Sequence, residues 1–174
     1  MRETHTPWPP PDEQPGFSPL VIRLQDAELL GAEPDTIALL ADASATGGLL
    51  GVSRTTLGRG RDGATPHYHR GSAEMFFILD GRLQVLVGEE TVDVEAGDTL
   101  VVPPHTVHAF AAAPGSGADV LIMITPGVER FAYFRLLDRV RRGRADPREL
   151  LAVQERFDTH FVDSTPWRRT RATA

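Results

Sequence analysis

The sequence contains no cysteine, no lysine and no asparagine. The first absence excludes disulfides, thiolate metal sites and cysteine nucleophiles together, so any metal must rest on histidine, aspartate or glutamate. The second excludes Schiff-base chemistry on a lysine amine; all 18 cationic side chains are arginines. Long apolar runs are missing too. Nothing approaches the roughly 20 residues that a membrane-spanning helix requires, and the N-terminus is proline-rich and acidic where a signal peptide would be basic and then apolar. The expectation is a cytoplasmic protein with no membrane partner. Positive charge is in deficit, 18 arginines against 24 acids for a net charge of −6, which argues against a nucleic-acid partner.

What is present fits one domain, since 174 residues suffice for one well-buried core and are few for two. Residues 1–19 hold six of the 14 prolines and read as an extended N-terminal arm carrying two apolar anchors, Trp8 and Phe17. Residues 20–126 show short apolar or alternating runs between turn residues, the pattern of an all-β sandwich or barrel. Strands are expected at Leu20–Leu24, Thr36–Ala41, Leu49–Leu57, Ala64–Arg70, Glu74–Asp80, Arg82–Val87, Glu90–Val94, Thr99–Val102, Val107–Ala112 and Asp119–Thr125, with tight turns at Asp80-Gly81 and Gly88-Glu89. Gly58–Gly63 lacks the Lys-Ser/Thr of a phosphate-binding loop and reads as a flexible loop.

In residues 127–174 the period changes. Phe131, Phe134, Leu137 and Val140 recur at helical spacing, Gly143 stops that helix, and Asp146-Pro147-Arg148-Glu149 has the form of a cap opening a second helix to about Phe157. Residues 129–174 carry 11 arginines against seven acids, read as helix-end and solvated charge. His5 and His160 read as exposed.

The chemistry concentrates in Pro66–Glu74. His67 and His69, two apart on an expected strand, project from the same face and can chelate one ion. Glu74 returns a carboxylate from the next strand, and His108 adds a nitrogen after the rigid turn Pro103–Thr106. Three imidazoles and a carboxylate suit one divalent ion of Fe, Mn, Co, Ni, Cu or Zn and leave open positions if it is five- or six-coordinate.

These residues resemble the two signature motifs of the cupin superfamily. The first runs His67-x-His69, four residues, Glu74, six residues, Gly81; the second runs Gly97-Asp-Thr-Leu-Val-Val-Pro103 with His108 five residues on. The leading glycine of the first motif is replaced by Arg61, and in the second His105 stands at a usual glycine and Ala112 at the trailing asparagine. The resemblance implies a double-stranded β-helix, or jelly roll, holding one metal on His67, His69, Glu74 and His108. Alternation turns Phe76, Ile78 and Phe110 inward as an apolar substrate pocket, and turns Met75, Phe77 and Leu79 outward, to be covered by another sheet, the helical tail or a second subunit; a homodimer with strand or arm exchange is expected. Pro126–Phe131 further resembles the C-terminal part of single-domain quercetinase-like cupins, in which a helix covers the barrel mouth and the metal-binding glutamate, here Glu74, serves as base. The implied activity is a metal-dependent dioxygenase, an oxidoreductase acting on a flavonol-like or other aromatic enol small molecule. The alternatives are a non-redox polyketide cyclase or isomerase and a non-catalytic small-molecule-binding cupin.

Overall fold

A computed structural model describes residues 18–172. Ten antiparallel strands dominate it: β1 (Glu28–Ala32), β2 (Asp35–Ala41), β3 (Gly51–Leu57), β4 (Asp62–Tyr68), β5 (Ala73–Val87), β6 (Glu90–Glu95), β7 (Thr99–Val102), β8 (His108–Ala112), β9 (Ala118–Thr125) and β10 (His160–Phe161). Helices α1 (Phe131–Arg141), α2 (Arg148–Ala152), α3 (Gln154–Phe157) and α4 (Thr165–Ala172) follow the main body of strands. The neighbour order is β1-β2-β3-β9-β5-β8-β4-β10, with β6 and β7 also pairing on β5. The fold is a jelly roll with C-terminal helices; the N-terminal arm expected at residues 1–19, with Trp8 and Phe17, lies almost wholly outside the described residues.

Strand β5 explains how one sheet becomes two faces. Its first half pairs with β7 and β9, its second with β6 and β8. Asp80-Gly81 is therefore no hairpin turn, contrary to the sequence reading. It is a bend inside one long strand that carries the chain from one face to the other. Gly81 adopts φ 73° there, and a Cβ would lie 2.1 Å from the Gly117 carbonyl oxygen, so this crossing requires glycine. Between the faces lie Phe76, Ile78, Leu83, Val85, Val120 and their neighbours, all essentially inaccessible to solvent.

Other expectations shift as well. Leu20–Leu24 forms no strand; its apolar side chains are exposed, and a 3₁₀ turn spans Leu24–Asp26. The first strand is instead Glu28–Ala32, whose two leucines and interior glycine give little alternation to read. The Gly58–Gly63 segment is a loop only in part, since Asp62 and Gly63 already belong to β4. The second expected helix is broken at Val153 into α2 and α3, and β10 and α4 were not foreseen.

Candidate metal centre

Three histidines enter the site from β4 and β8. His67 lies in β4, His69 follows that strand's last residue, and His108 opens β8 opposite His67 in the register. Glu74 comes from β5 beside them. All four are buried, and one ligand atom from each lies within 4.8 Å of the others.

Backbone carbonyls set the ring orientations. The Nδ1 of His67 donates to Thr65 O at 2.8 Å, that of His108 to Thr106 O at 2.8 Å, and that of His69 to Asp158 O. A carbonyl only accepts, so each Nδ1 carries the proton and each Nε2 is left for the centre. There His108 Nε2 stands 2.8 Å and His69 Nε2 3.5 Å from Glu74 Oε2, and His69 Nε2 is buried without a hydrogen-bond partner. Imidazole lone pairs aimed at a carboxylate are acceptors facing an acceptor. Such a cluster is completed by a positive centre, and the donor set fits a divalent metal ion.

The electrostatics agree. Burial disfavours the charged form of His67, and the neighbouring His108 and His69 add to this, holding it well below the usual imidazole range and leaving the neutral ligand form. Burial pushes the Glu74 carboxyl up, but the His108 and His69 side chains facing it outweigh this and hold the group well below the usual carboxylate range, the ionised ligand form.

Beside the cluster opens a cavity of about 230 Å³ whose wall includes His67, Glu74, Phe110, Ile122, Tyr133 and Phe134. Phe110 thus lines it. Phe76 and Ile78 face inward but are fully buried behind that wall, with Phe76 edge-on to both Phe110 and His108. Helix α1 supplies Tyr133, Phe134 and Leu137 to the lining, and Leu150 and Phe161 add to it.

Several residues here escaped the sequence reading. Arg130, assigned to solvated charge, is buried with Nη1 3.7 Å from Glu74 Oε1. Asp158 holds His69 through its carbonyl, while its carboxylate accepts the backbone N–H groups of Arg70 and Gly71 at 2.7 and 2.9 Å. His160 is not exposed: β10 pairs it with Tyr68, whose ring it stacks on at 5.1 Å. His105 is exposed as its turn position suggests, but its backbone matters. It sits at φ 63°, the left-handed conformation glycine would favour, and its N–H donates to His69 O at 2.7 Å. The signal for the tail residues lay only in the short Pro126–Phe131 resemblance.

Residues 53–125 match the sequence model of the family described as "Cupin domain". Quercetin 2,3-dioxygenase of Bacillus subtilis is 30% identical over 97 residues, covering 56% of this chain and 28% of that protein. Polyketide synthase CurC of Streptomyces cyaneus is 26% identical over 96 residues, 55% of this chain and 60% of that one. The chain therefore spans less than two thirds of the length of either relative. Among solved structures, the polyketide cyclase RemF from Streptomyces resistomycificus superposes with a TM-score of 0.52 at 17% identity, over 63% of this chain and 80% of that chain, a likeness of fold.

Proposed function

We propose, from the premise that residues 53–125 are a cupin domain, that the protein is a metal-dependent enzyme acting on a small aromatic or enolised molecule, and that it works as a dioxygenase. The observation that carries this reading is the convergence of three imidazole nitrogens and one carboxylate at the edge of a mostly apolar cavity. His67, His69, Glu74 and His108 would hold one divalent ion. A bound ion of this kind would acidify a substrate hydroxyl and polarise its oxygens.

The chain's own groups supply the rest. Phe110, Tyr133 and Phe134 offer ring faces and edges to a flat carbon skeleton and exclude water from it. Glu74, ionised and lining the cavity, is the base in this reading; its lowered pKa makes it a weak one, suited to a hydroxyl that the bound ion would acidify. Similarity to quercetin 2,3-dioxygenase over 56% of the chain supports an oxygenase. A second reading, a non-redox cyclase or isomerase using the same site, is favoured by the similarity to polyketide synthase CurC over 55% of the chain.

Metal analysis of the purified protein, followed by oxygen uptake with flavonols and catechols after loading with Fe, Mn, Co, Ni or Cu, separates the two. Substrate-dependent oxygen consumption is expected. If none of the five metals supports it with any substrate, the dioxygenase reading falls and the cyclase reading takes its place. We further propose that the chain acts as a homodimer.

A further inference from the structure

Arg130 is the one buried arginine among the described residues, and a guanidinium taken out of water is costly unless its donors are met. These are not met. Nη2 donates to Thr159 Oγ1 at 3.1 Å, Nη1 stands 3.7 Å from Glu74 Oε1, beyond hydrogen-bonding distance, and Nε is buried with no partner at all. Arginines that serve structure in this molecule look different. Arg135 grips Glu28 through Nε at 3.0 Å and Nη2 at 2.6 Å, and Arg54 closes a two-pronged contact on Asp119.

Arg130 is nonetheless fixed in place. The Asp42 carboxylate accepts the backbone N–H groups of Arg130 and Phe131 at 2.7 and 3.1 Å, and the guanidinium carbon lies 5.5 Å from the ring centres of both Tyr133 and Phe134. Among the described residues Glu74 is the only carboxylate lining the cavity, and its Oε2 already faces His108 and His69. A rigid cation with spare donors therefore borders an otherwise mostly apolar chamber next to the histidine cluster.

We propose that Arg130 anchors an anionic oxygen of the substrate, a carboxylate or enolate carried on an aromatic or cyclic apolar body. This rests on the reading of the cavity as the substrate site. Charge-assisted hydrogen bonds are strong in such water-poor surroundings, and a fork of N–H donors suits paired oxygens. A neutral analogue of the same shape would leave the donors unmet and bind worse.

Benzoate and benzamide, near-isosteres that differ in charge, are suitable probes for calorimetric titration of the full-length protein. The metal-free protein reads Arg130 without direct coordination of benzoate to an ion; a separate Zn²⁺ titration reads the four-residue cluster. Benzoate is expected to bind about tenfold or more tighter than benzamide, the scale of a charge-assisted pair. Arg130→Gln should abolish that preference, and Arg130→Lys, which keeps the charge without the fork, should retain part of it. Equal binding of the two probes, no benzoate binding at millimolar concentration, or an undiminished preference in Arg130→Gln would each overturn the proposal. Equal binding in the parent protein decides against the proposal without any variant; because Arg141 also lines the cavity, Arg141→Gln is the control and should leave the benzoate preference unchanged. Loss of Zn²⁺ binding with the benzoate preference intact would remove the metal reading and leave the anchor standing.

Discussion

At the scale of single residues, the site depends on groups that orient ligands as much as on the ligands. His67→Ala removes a buried nitrogen from a four-atom cluster, and its Zn²⁺ affinity is expected to fall by more than the roughly 10–100-fold typical of losing a mere outer partner. Retention of parental affinity by equilibrium dialysis would exclude His67 as a ligand. Glu74→Gln tests the base: at equal metal loading, turnover of whichever substrate consumes oxygen should drop about 10²–10⁴-fold. Turnover at the parent rate would shift that role elsewhere. Asp158 gives a pH-dependent prediction. Its burial raises the carboxyl's proton affinity, but the N–H donors of Arg70 and Gly71, with His69 and His160, outweigh this and lower its pKa. A carboxylate whose folded-state pKa is depressed contributes stability above its unfolded pKa, near 3.9, and loses that contribution as pH falls through the lower folded value. Asp158→Asn keeps a residue type that tolerates the left-handed φ of 47° and removes only the charge. The melting-temperature gap between parent and variant should therefore be open at pH 6 and shrink below about pH 4. A gap independent of pH would mean that the Asp158 charge does no stabilising work.

At the scale of elements, the fit of β4 against β8 shapes the cavity wall. A Cβ on Gly63 would lie 2.2 Å from Phe110 Cε2 and 3.0 Å from its carbonyl oxygen. Gly63→Ala must push the Phe110 ring aside, and the cost expected of such overpacking is about 1–3 kcal/mol. Phe110→Leu in the same chain should recover part of it, a coupling that urea denaturation of both single variants and the double variant would measure. Strict additivity would show that the two residues do not meet. This pairing was invisible in the sequence, where Gly63 reads as part of a flexible loop. The ligand cluster was legible because a strand's period of two puts His67 and His69 on one face whatever the rest of the fold does. Glu74, Phe76 and Ile78 follow the same rule along β5. What periodicity could not reveal is that β5 continues through Asp80-Gly81, because a turn dipeptide inside a bent strand has the same composition as one between two strands. Arg130 was hidden for a related reason: the groups that bury it, Glu74 and Thr159, come from distant elements, and a basic tail reads as solvated charge until those contacts are known.

For the whole molecule, the C-terminal helices divide the labour of covering the barrel, and they leave one face uncovered. Helices α1 to α3 pack over the cavity through Tyr133, Leu136, Leu150 and Phe157. Helix α4 lays Trp167 on Leu86, Ala109 and Ala111, while Arg171 reaches the Gly60 carbonyl and Asp62. That covers the outside of β5's second half and β8. The outside of β5's first half has no such cover among the described residues: Met75 faces Met123 and Val101 across the sheet, Phe77 faces Leu121, and Leu79 and Val101 remain 42% and 58% exposed. A sheet apolar on both faces calls for a partner layer, and a contiguous apolar patch bounded by polar groups such as Arg54 and Asp119 has the make-up of an interface. A second copy of the chain seated there is expected to bury on the order of 1,000 Å² or more in total, the least that a stable pair needs. Light scattering after size exclusion should then give a particle of twice the 19.0 kDa chain mass at micromolar concentration. Val101→Glu places a charge on that face, on its edge strand β7, without touching the histidine cluster, so it should shift the protein to monomer while Zn²⁺ stoichiometry holds. Removal of residues 1–17, which include Trp8 and Phe17, would test an exchanged arm separately. A parent protein that runs only at the mass of one chain would dismiss the homodimer, and a dimer untouched by Val101→Glu would move the interface away from β5 and β7.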